Sequence, residues 1–170
     1  MFLAVQHYIQ VIKLEIKVML YMDKVHKVYF DTCCYNRPFD DLKNERVRLE
    51  AEAILMIQGL ISGGAFELFY SRVIDFELNK IKDIDKKMKV KTFYQSIKGE
   101  LLEFRDEIET IANIYETHGI RYMDALHIAY CRQYRIDYML TTDKALINAA
   151  RRIEIIFKVI NPLEFIMEVL

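Results

Sequence analysis

The sequence predicts an α/β protein, a parallel sheet flanked by helices in an α/β/α sandwich. Three observations point there. Short apolar runs rich in β-branched and aromatic residues alternate along the chain with longer segments whose apolar positions recur at helical spacing. Strands that alternate with helices in this way build parallel sheets. The composition agrees: 53% of the 170 residues are hydrophobic and only 5 are Gly and 2 Pro, which suits one helix-rich domain with a substantial core.

Residues 1–23 read as an N-terminal extension to a domain spanning 24–170. The extension is apolar, yet Lys13, Glu15 and Lys17 interrupt it, so no uncharged run reaches the ~20 residues a membrane span requires. It also lacks the leading positive charge and small-residue cleavage site of a signal peptide. Within it "IKLEIKVML" alternates strictly, with Ile12, Leu14, Ile16, Val18 and Leu20 on one side, the pattern of a half-buried strand. The other reading is that translation begins at Met19 or Met22, in which case a Met22 start yields folded, soluble protein.

"HKVYF", residues 26–30, reads as a short central strand. After the Asn36-Arg37-Pro38 turn, residues 42–61 place Val47, Leu49, Ala53, Ile54, Ile57 and Leu60 at helical spacing and stop at Gly63-Gly64. "AFELFY", residues 65–70, is a second strand, and Ser71 is placed to cap a helix over 72–84. A charged hinge, "DIDKKMKVK", precedes one long helix over 92–118. Its buried stripe would be Phe93, Ile97, Leu101, Ile108, Ile111, Ala112 and Tyr115, with Gly119 ending it. "MDALHIAYCRQY", apolar nearly all round, reads as a buried helix. "IDYMLTT" is a third strand, "DKALINAARR" a helix, "IEIIFKVI" a fourth strand, and Pro162 opens a terminal helix.

The net charge is −1, so any binding of nucleic acid must come from local patches rather than from the molecule as a whole. Cys33, Cys34 and Cys131 are odd in number, and the adjacent pair has neither a disulfide framework nor the CxxC spacing of a zinc site. Reduced, structural cysteines in a cytoplasmic protein follow.

Four carboxylates stand out by position. Asp31 ends the first strand, and in open α/β sheets the carboxyl ends of strands line the ligand crevice. An ordinary turn or helix-cap aspartate would look the same. Asp143 repeats the arrangement after "YMLTT" but equally suits the N-cap of the helix that follows. Asp124 opens the "DALHIAYC" helix, where an acid complements the helix dipole. Glu77 is harder to explain structurally. Its helical neighbours at i−4, i−3 and i+4 are Val73, Ile74 and Ile81, so it lies on an apolar stripe, where a carboxylate costs several kcal/mol unless compensated. Asp75 points the other way and reads as surface. Four acids converging at one sheet edge would resist ionising together. A divalent cation removes that conflict, and an all-oxygen set suits Mg²⁺ or Mn²⁺. Such an ion favours hydrolysis of a phosphodiester.

With those four positions in hand, the chain resembles the PIN-domain nucleases, of VapC-like type, from about Lys24 to Leu170. Asp31 in "VYFDT" matches the family's first acid, Glu77 in "SRVIDFEL" its second, Asp124 in "MDALHIAY" its third and Asp143 in "MLTTD" its fourth, with Thr141 as its threonine. The resemblance implies a flap-nuclease-like fold, catalytic and metal-binding roles for these four acids, and Mg²⁺- or Mn²⁺-dependent cleavage of single-stranded RNA. It further implies the toxin half of a toxin–antitoxin pair, a small antitoxin partner and a homodimer; that no membrane is involved is expected from the charge-interrupted apolar segment instead. Two departures weigh on the toxin role, the extra length over residues 83–107 with the N-terminal extension, and the "CCYNRPFDD" turn.

Supporting residues have two readings each. Thr32, Asn36, Arg37 and Thr141 lie beside the expected pocket, as substrate-binding groups or as supports for the acids. Asp40 and Asp41 begin the next helix. Lys80, Lys82, Lys86, Lys87, Lys89 and Lys91 make a solvated hinge or a phosphate-positioning patch. His127 hydrogen-bonds a core group or serves as a base. Some of the 11 tyrosines stack on bases or fill the core. A phosphoryl-handling fold is the rival enzyme, but "DTCC" lacks the DxD pair of the haloacid-dehalogenase phosphatases and no receiver-type lysine is evident. A catalytically degenerate PIN scaffold that binds RNA or protein is the non-enzymatic alternative.

Overall fold

Among the described residues five parallel strands form one sheet, flanked by helices. The computed structural model describes residues 25–153 and 155–170, so the expectations for residues 1–23 fall outside it. β1 (His26–Phe30) is central, with Val28, Tyr29 and Phe30 fully buried. It leads through helix α1 (Thr32–Asn36) and a 3₁₀ turn (Arg37–Phe39) to α2 (Glu45–Ser62). β2 (Phe66–Ser71) is followed by α3 (Arg72–Asn79), α4 (Ile84–Ser96) and β3 (Glu100–Leu102). Helices α5 (Asp106–Thr117) and α6 (Tyr122–Gln133) return the chain across the sheet to β4 (Tyr138–Leu140). α7 (Lys144–Ala150), β5 (Lys158–Ile160) and α8 (Pro162–Val169) complete it. Among the described residues no helix is long and apolar enough to cross a membrane.

The chain moves outward from β1 in one direction for β2 and β3 and in the other for β4 and β5. The order therefore reverses between β1 and β4, where the carboxyl ends of a parallel sheet open a crevice. The register fixes what meets there. Phe30 pairs with Leu140, and the Asp31 amide donates to the Leu140 carbonyl at 2.9 Å. Asp31 and Thr141 consequently leave adjacent strands side by side.

The core confirms the alternation of strands and helices and corrects its middle. The expected helix over 92–118 is two helices with an edge strand between them. Ile97, Ile108, Ala112 and Tyr115 are buried as expected, but from different elements. Gly99 shows why: a Cβ there would stand 3.0 Å from the Leu68 carbonyl oxygen and 3.1 Å from Tyr70 Cδ1, tighter than side chains ordinarily pack, so glycine suits the close approach of this stretch to β2. The "DIDKKMKVK" hinge is helical. Asp83 caps it by accepting from the Lys86 amide, and Val90, Phe93 and Tyr94 turn it inward. Tyr94 and Phe93 close on Tyr35, with Tyr94 edge-on at 5.1 Å. The "CCYNRPFDD" stretch, expected as a turn, begins within the short helix α1 and continues as the 3₁₀ turn.

Three smaller expectations also change. In α2, Leu49 is exposed and Glu50 takes its place on the inward face with Ile54, Ile57 and Ile61. Ser71 stands at the N-cap position of α3 but does not cap it; its Oγ lies 2.7 Å from the Tyr29 hydroxyl. Asp40 and Asp41 precede α2 without entering it. Asp40 holds Arg37 and Lys86, and Asp41 accepts from the Lys43 amide. Gly119 does end α5, with φ of 83°.

Candidate metal centre and active site

Asp31 stands at the N-cap position of α1, yet its side chain makes no capping bond. It turns back over the sheet edge, 6% exposed, where Oδ2 accepts from Thr141 Oγ1 at 2.6 Å and from Cys33 Sγ at 3.0 Å. Thr141 is itself fixed, since its Oγ1 accepts from the Asp143 amide at 3.1 Å. Cys33 lies 3.2 Å from that hydroxyl and accepts from the Thr142 amide. Of the paired cysteines only Cys34 is a packing residue, fully buried with its thiol pushed up by burial. Cys33 stands against the acid.

Glu77 comes from α3 and faces inward, as the Val73, Ile74, Ile81 stripe requires. Its Oε2 takes a short hydrogen bond from Thr32 Oγ1 and lies 2.9 Å from His127 Nε2. The same nitrogen is 3.7 Å from Asp31 Oδ1. Asp31, Glu77 and His127 each offer one ligand atom, and these atoms all lie within 4.8 Å of one another. His127 is fully buried, and its Nδ1 is 2.7 Å from the Tyr29 hydroxyl, which meets Ser71 Oγ.

Asp124 and Asp143 form the outer half of the site. Arg121 joins them, with Nε on Asp124 Oδ2 at 2.8 Å and a terminal nitrogen on Asp143 Oδ2 at 2.9 Å. The other oxygen of Asp143 caps α7, accepting from the Ala145 and Leu146 amides. Asp143 is thus both an N-cap and a member of the acidic edge. Thr32 and Thr141 stand against Glu77 and Asp31 respectively. Asn36 and Arg37 do not reach these acids: Asn36 Nδ2 donates to the Thr32 carbonyl, and Arg37 donates to Thr142 Oγ1 at 2.6 Å and to Asp40.

The protonation pattern follows from this crowding. Burial alone would raise the Glu77 carboxyl, but the hydrogen bond and charge of His127, with Thr32 and Lys80, hold it below the ordinary carboxylate range. Burial would lower His127, yet the hydrogen bond to Glu77 and the charges of Asp31, Glu77 and Asp124 push it up. Asp124 is raised, first by burial and then by Asp31, and Arg121 offsets this only in part. One buried imidazole therefore faces the charges of three acids. A divalent cation fits this donor set, because it would satisfy carboxylates that otherwise repel. His127, Arg121 and Cys33 are the participants that the carboxylate pattern does not single out. For His127 the signal is its place three residues after Asp124, on the same face of α6.

Residues 28–152, well over half of the chain, match the family model described as PIN domain. The crystal structure of PAE2754 from Pyrobaculum aerophilum is similar in fold, with a TM-score of 0.51 at 15% identity over 85% of this chain and 95% of that one. Among curated proteins no sequence match is found. By the match to the family model, which runs from within β1 to just past α7, the chain belongs to the PIN-domain family.

Proposed function

We propose that this chain is a metal-dependent endoribonuclease that hydrolyses phosphodiester bonds of single-stranded RNA in the cytoplasm. The observation that carries the reading is the meeting of Asp31 and Glu77, 46 positions apart in sequence, at the sheet's switch point in a PIN-domain chain. Asp31 and Glu77 would hold Mg²⁺ or Mn²⁺, with Asp124 and Asp143 completing the acidic quartet. When bound, the cation supplies positive charge that activates a water and stabilises the oxygen that leaves.

The chain's own residues prepare that chemistry. Thr141 and Cys33 fix Asp31, and Thr32 and His127 fix Glu77, so the ligand oxygens are held in place before any ion arrives. Arg121 pairs with both Asp124 and Asp143 and lies open to solvent at the mouth, where a phosphate can approach. Lysines of α4 add a second positive surface. Lys86 is tied to Asp40, and Lys87 and Lys91 to Asn79, so within α4 it falls to Lys89 to meet the RNA backbone.

Cleavage of structured and unstructured RNA with Mn²⁺, Mg²⁺ or EDTA tests the reading. Wild type is expected to cut the unstructured RNA with either ion and to stop in EDTA, and Asp31→Asn to be slower by at least about 100-fold. Equal cleavage by the variant, or indifference to EDTA, overturns it. On the family resemblance we further infer the toxin half of a toxin–antitoxin pair, working as a homodimer. The expected partner is the small product of an adjacent reading frame that binds the chain and stops cleavage; a neighbourhood without one overturns this.

A further inference from the structure

The resemblance assigns the cation to four carboxylates, but the fully buried side chain closest to both Asp31 and Glu77 is an imidazole. We propose that His127 Nε2 is a ligand of the cation held by Asp31 and Glu77, making the centre a mixed nitrogen–oxygen site that favours first-row transition ions such as Mn²⁺ over Mg²⁺. The inference rests on the metal-dependent reading above and adds a ligand to it.

The distances permit this without movement of the backbone. Two ligand atoms in neighbouring positions on an octahedral ion, with bonds of about 2.0–2.1 Å, stand about 2.9 Å apart. His127 Nε2 is 2.9 Å from Glu77 Oε2 and 3.7 Å from Asp31 Oδ1. In the protein alone the shorter contact is a hydrogen bond. With an ion between them the same two atoms become adjacent ligands.

What lets the ring exchange those roles is the group behind it. A ligating histidine needs an acceptor for its other N–H, and Nδ1 faces the Tyr29 hydroxyl at 2.7 Å, which faces Ser71 Oγ at 2.7 Å. Hydroxyls donate and accept, so this relay runs in either direction. Run from Ser71 toward the ring, it leaves Nε2–H to donate to Glu77. Run from Nδ1–H toward Ser71, it leaves the Nε2 lone pair facing Asp31 and Glu77. The relay is wholly buried, and β1, β2 and α6 each contribute one member. Imidazole is a ligand for first-row transition ions, whereas Mg²⁺ holds to oxygen donors and keeps its waters.

Pulsed electron paramagnetic resonance on tag-free full-length protein loaded with Mn²⁺ tests this directly. The expected spectrum carries the nitrogen coupling of a bound imidazole, absent in His127→Gln, whose Mn²⁺ affinity falls at least about tenfold while its Mg²⁺ affinity changes much less. Tyr29→Phe keeps the ring packed without the hydroxyl; it is expected to retain the coupling and to bind Mn²⁺ more weakly. Wild-type protein that binds Mn²⁺ without nitrogen coupling, or that does not bind it, overturns the proposal, and this measurement needs no variant to fold. An affinity in Tyr29→Phe equal to wild type overturns the relay. The two readings fail separately: coupling without RNA cleavage removes the nuclease reading alone, and cleavage without coupling removes only the nitrogen ligand.

Discussion

Glu50 is a carboxylate with 1% of its surface exposed, on the inward face of α2. Arg46 Nε donates to it at 2.8 Å and Asn161 Nδ2 at 2.9 Å. Arg37 Nε lies 3.0 Å away, close enough for an ion pair but out of line for a hydrogen bond. Glu50 thereby ties the 3₁₀ turn, α2 and the cap of α8 together, and Arg37 carries the tie on to Thr142 beside the acidic edge. Removing one member of a buried ionic set costs about 3–5 kcal/mol, and the partly exposed arginines, which water can reach, place this case at the low end. Glu50→Ala is expected to lose about 3 kcal/mol in urea unfolding; a loss under about 1 kcal/mol would show that the network contributes little. Locally Glu50 shows an ordinary i,i+4 partner in Arg46, while Asn161, which completes its set, lies 111 positions away. Asp31 and Glu77 were legible for the opposite reason: an acid ending an apolar strand and an acid on an apolar helical stripe are anomalies within their own segments. His127 and Cys33 raise no such conflict where they stand, and only the fold shows what they touch.

At the scale of elements, the central strand, the buried α6 and the terminal helix could be read directly, since their apolar patterns are long or their caps explicit. β3 could not. Its three residues sit in a stretch where Phe93, Ile97, Leu101 and Ile108 keep helical spacing across a real break, so periodicity alone joined two helices through a strand. Gly99 was the one local sign against it, and its close approach to Leu68 turns that sign into a test. A methyl group at position 99 would restrict the unfolded chain, which stabilises by about 0.4–1 kcal/mol. Against that, it would press on a backbone carbonyl that cannot swing aside, and overpacking of this kind costs about 1–3 kcal/mol. The clash is expected to win. Gly99→Ala should unfold at lower urea concentration, by about 1–2 kcal/mol, with β3 the first strand to exchange its amide protons. Unchanged or greater stability would mean that β3 does not need this approach to β2.

For the whole molecule, the fold works as a device for concentrating like charge. Two strand ends, α3 and the start of α6 bring four acids to one crevice, and the neutralising groups that act on them include the His127 ring, the exposed Arg121 and Lys80. On the metal-dependent reading, such an arrangement would hold back the metal-free protein and favour the bound one, linking cation binding to folding stability. An ion that binds only the native state adds about 2.7 kcal/mol at 100 times its dissociation constant. For a domain of this size that corresponds to a rise in Tm of roughly 5–10 °C. Thermal unfolding of wild-type protein with Mn²⁺ at that excess should show the shift, and EDTA should abolish it. Asp31→Asn should respond far less, because Asp31 is the buried carboxylate that Thr141 and Cys33 hold in place. A wild-type Tm indifferent to the ion, with the protein folded, would mean that the acidic edge does not hold a cation, and the hydrolytic reading would go with it.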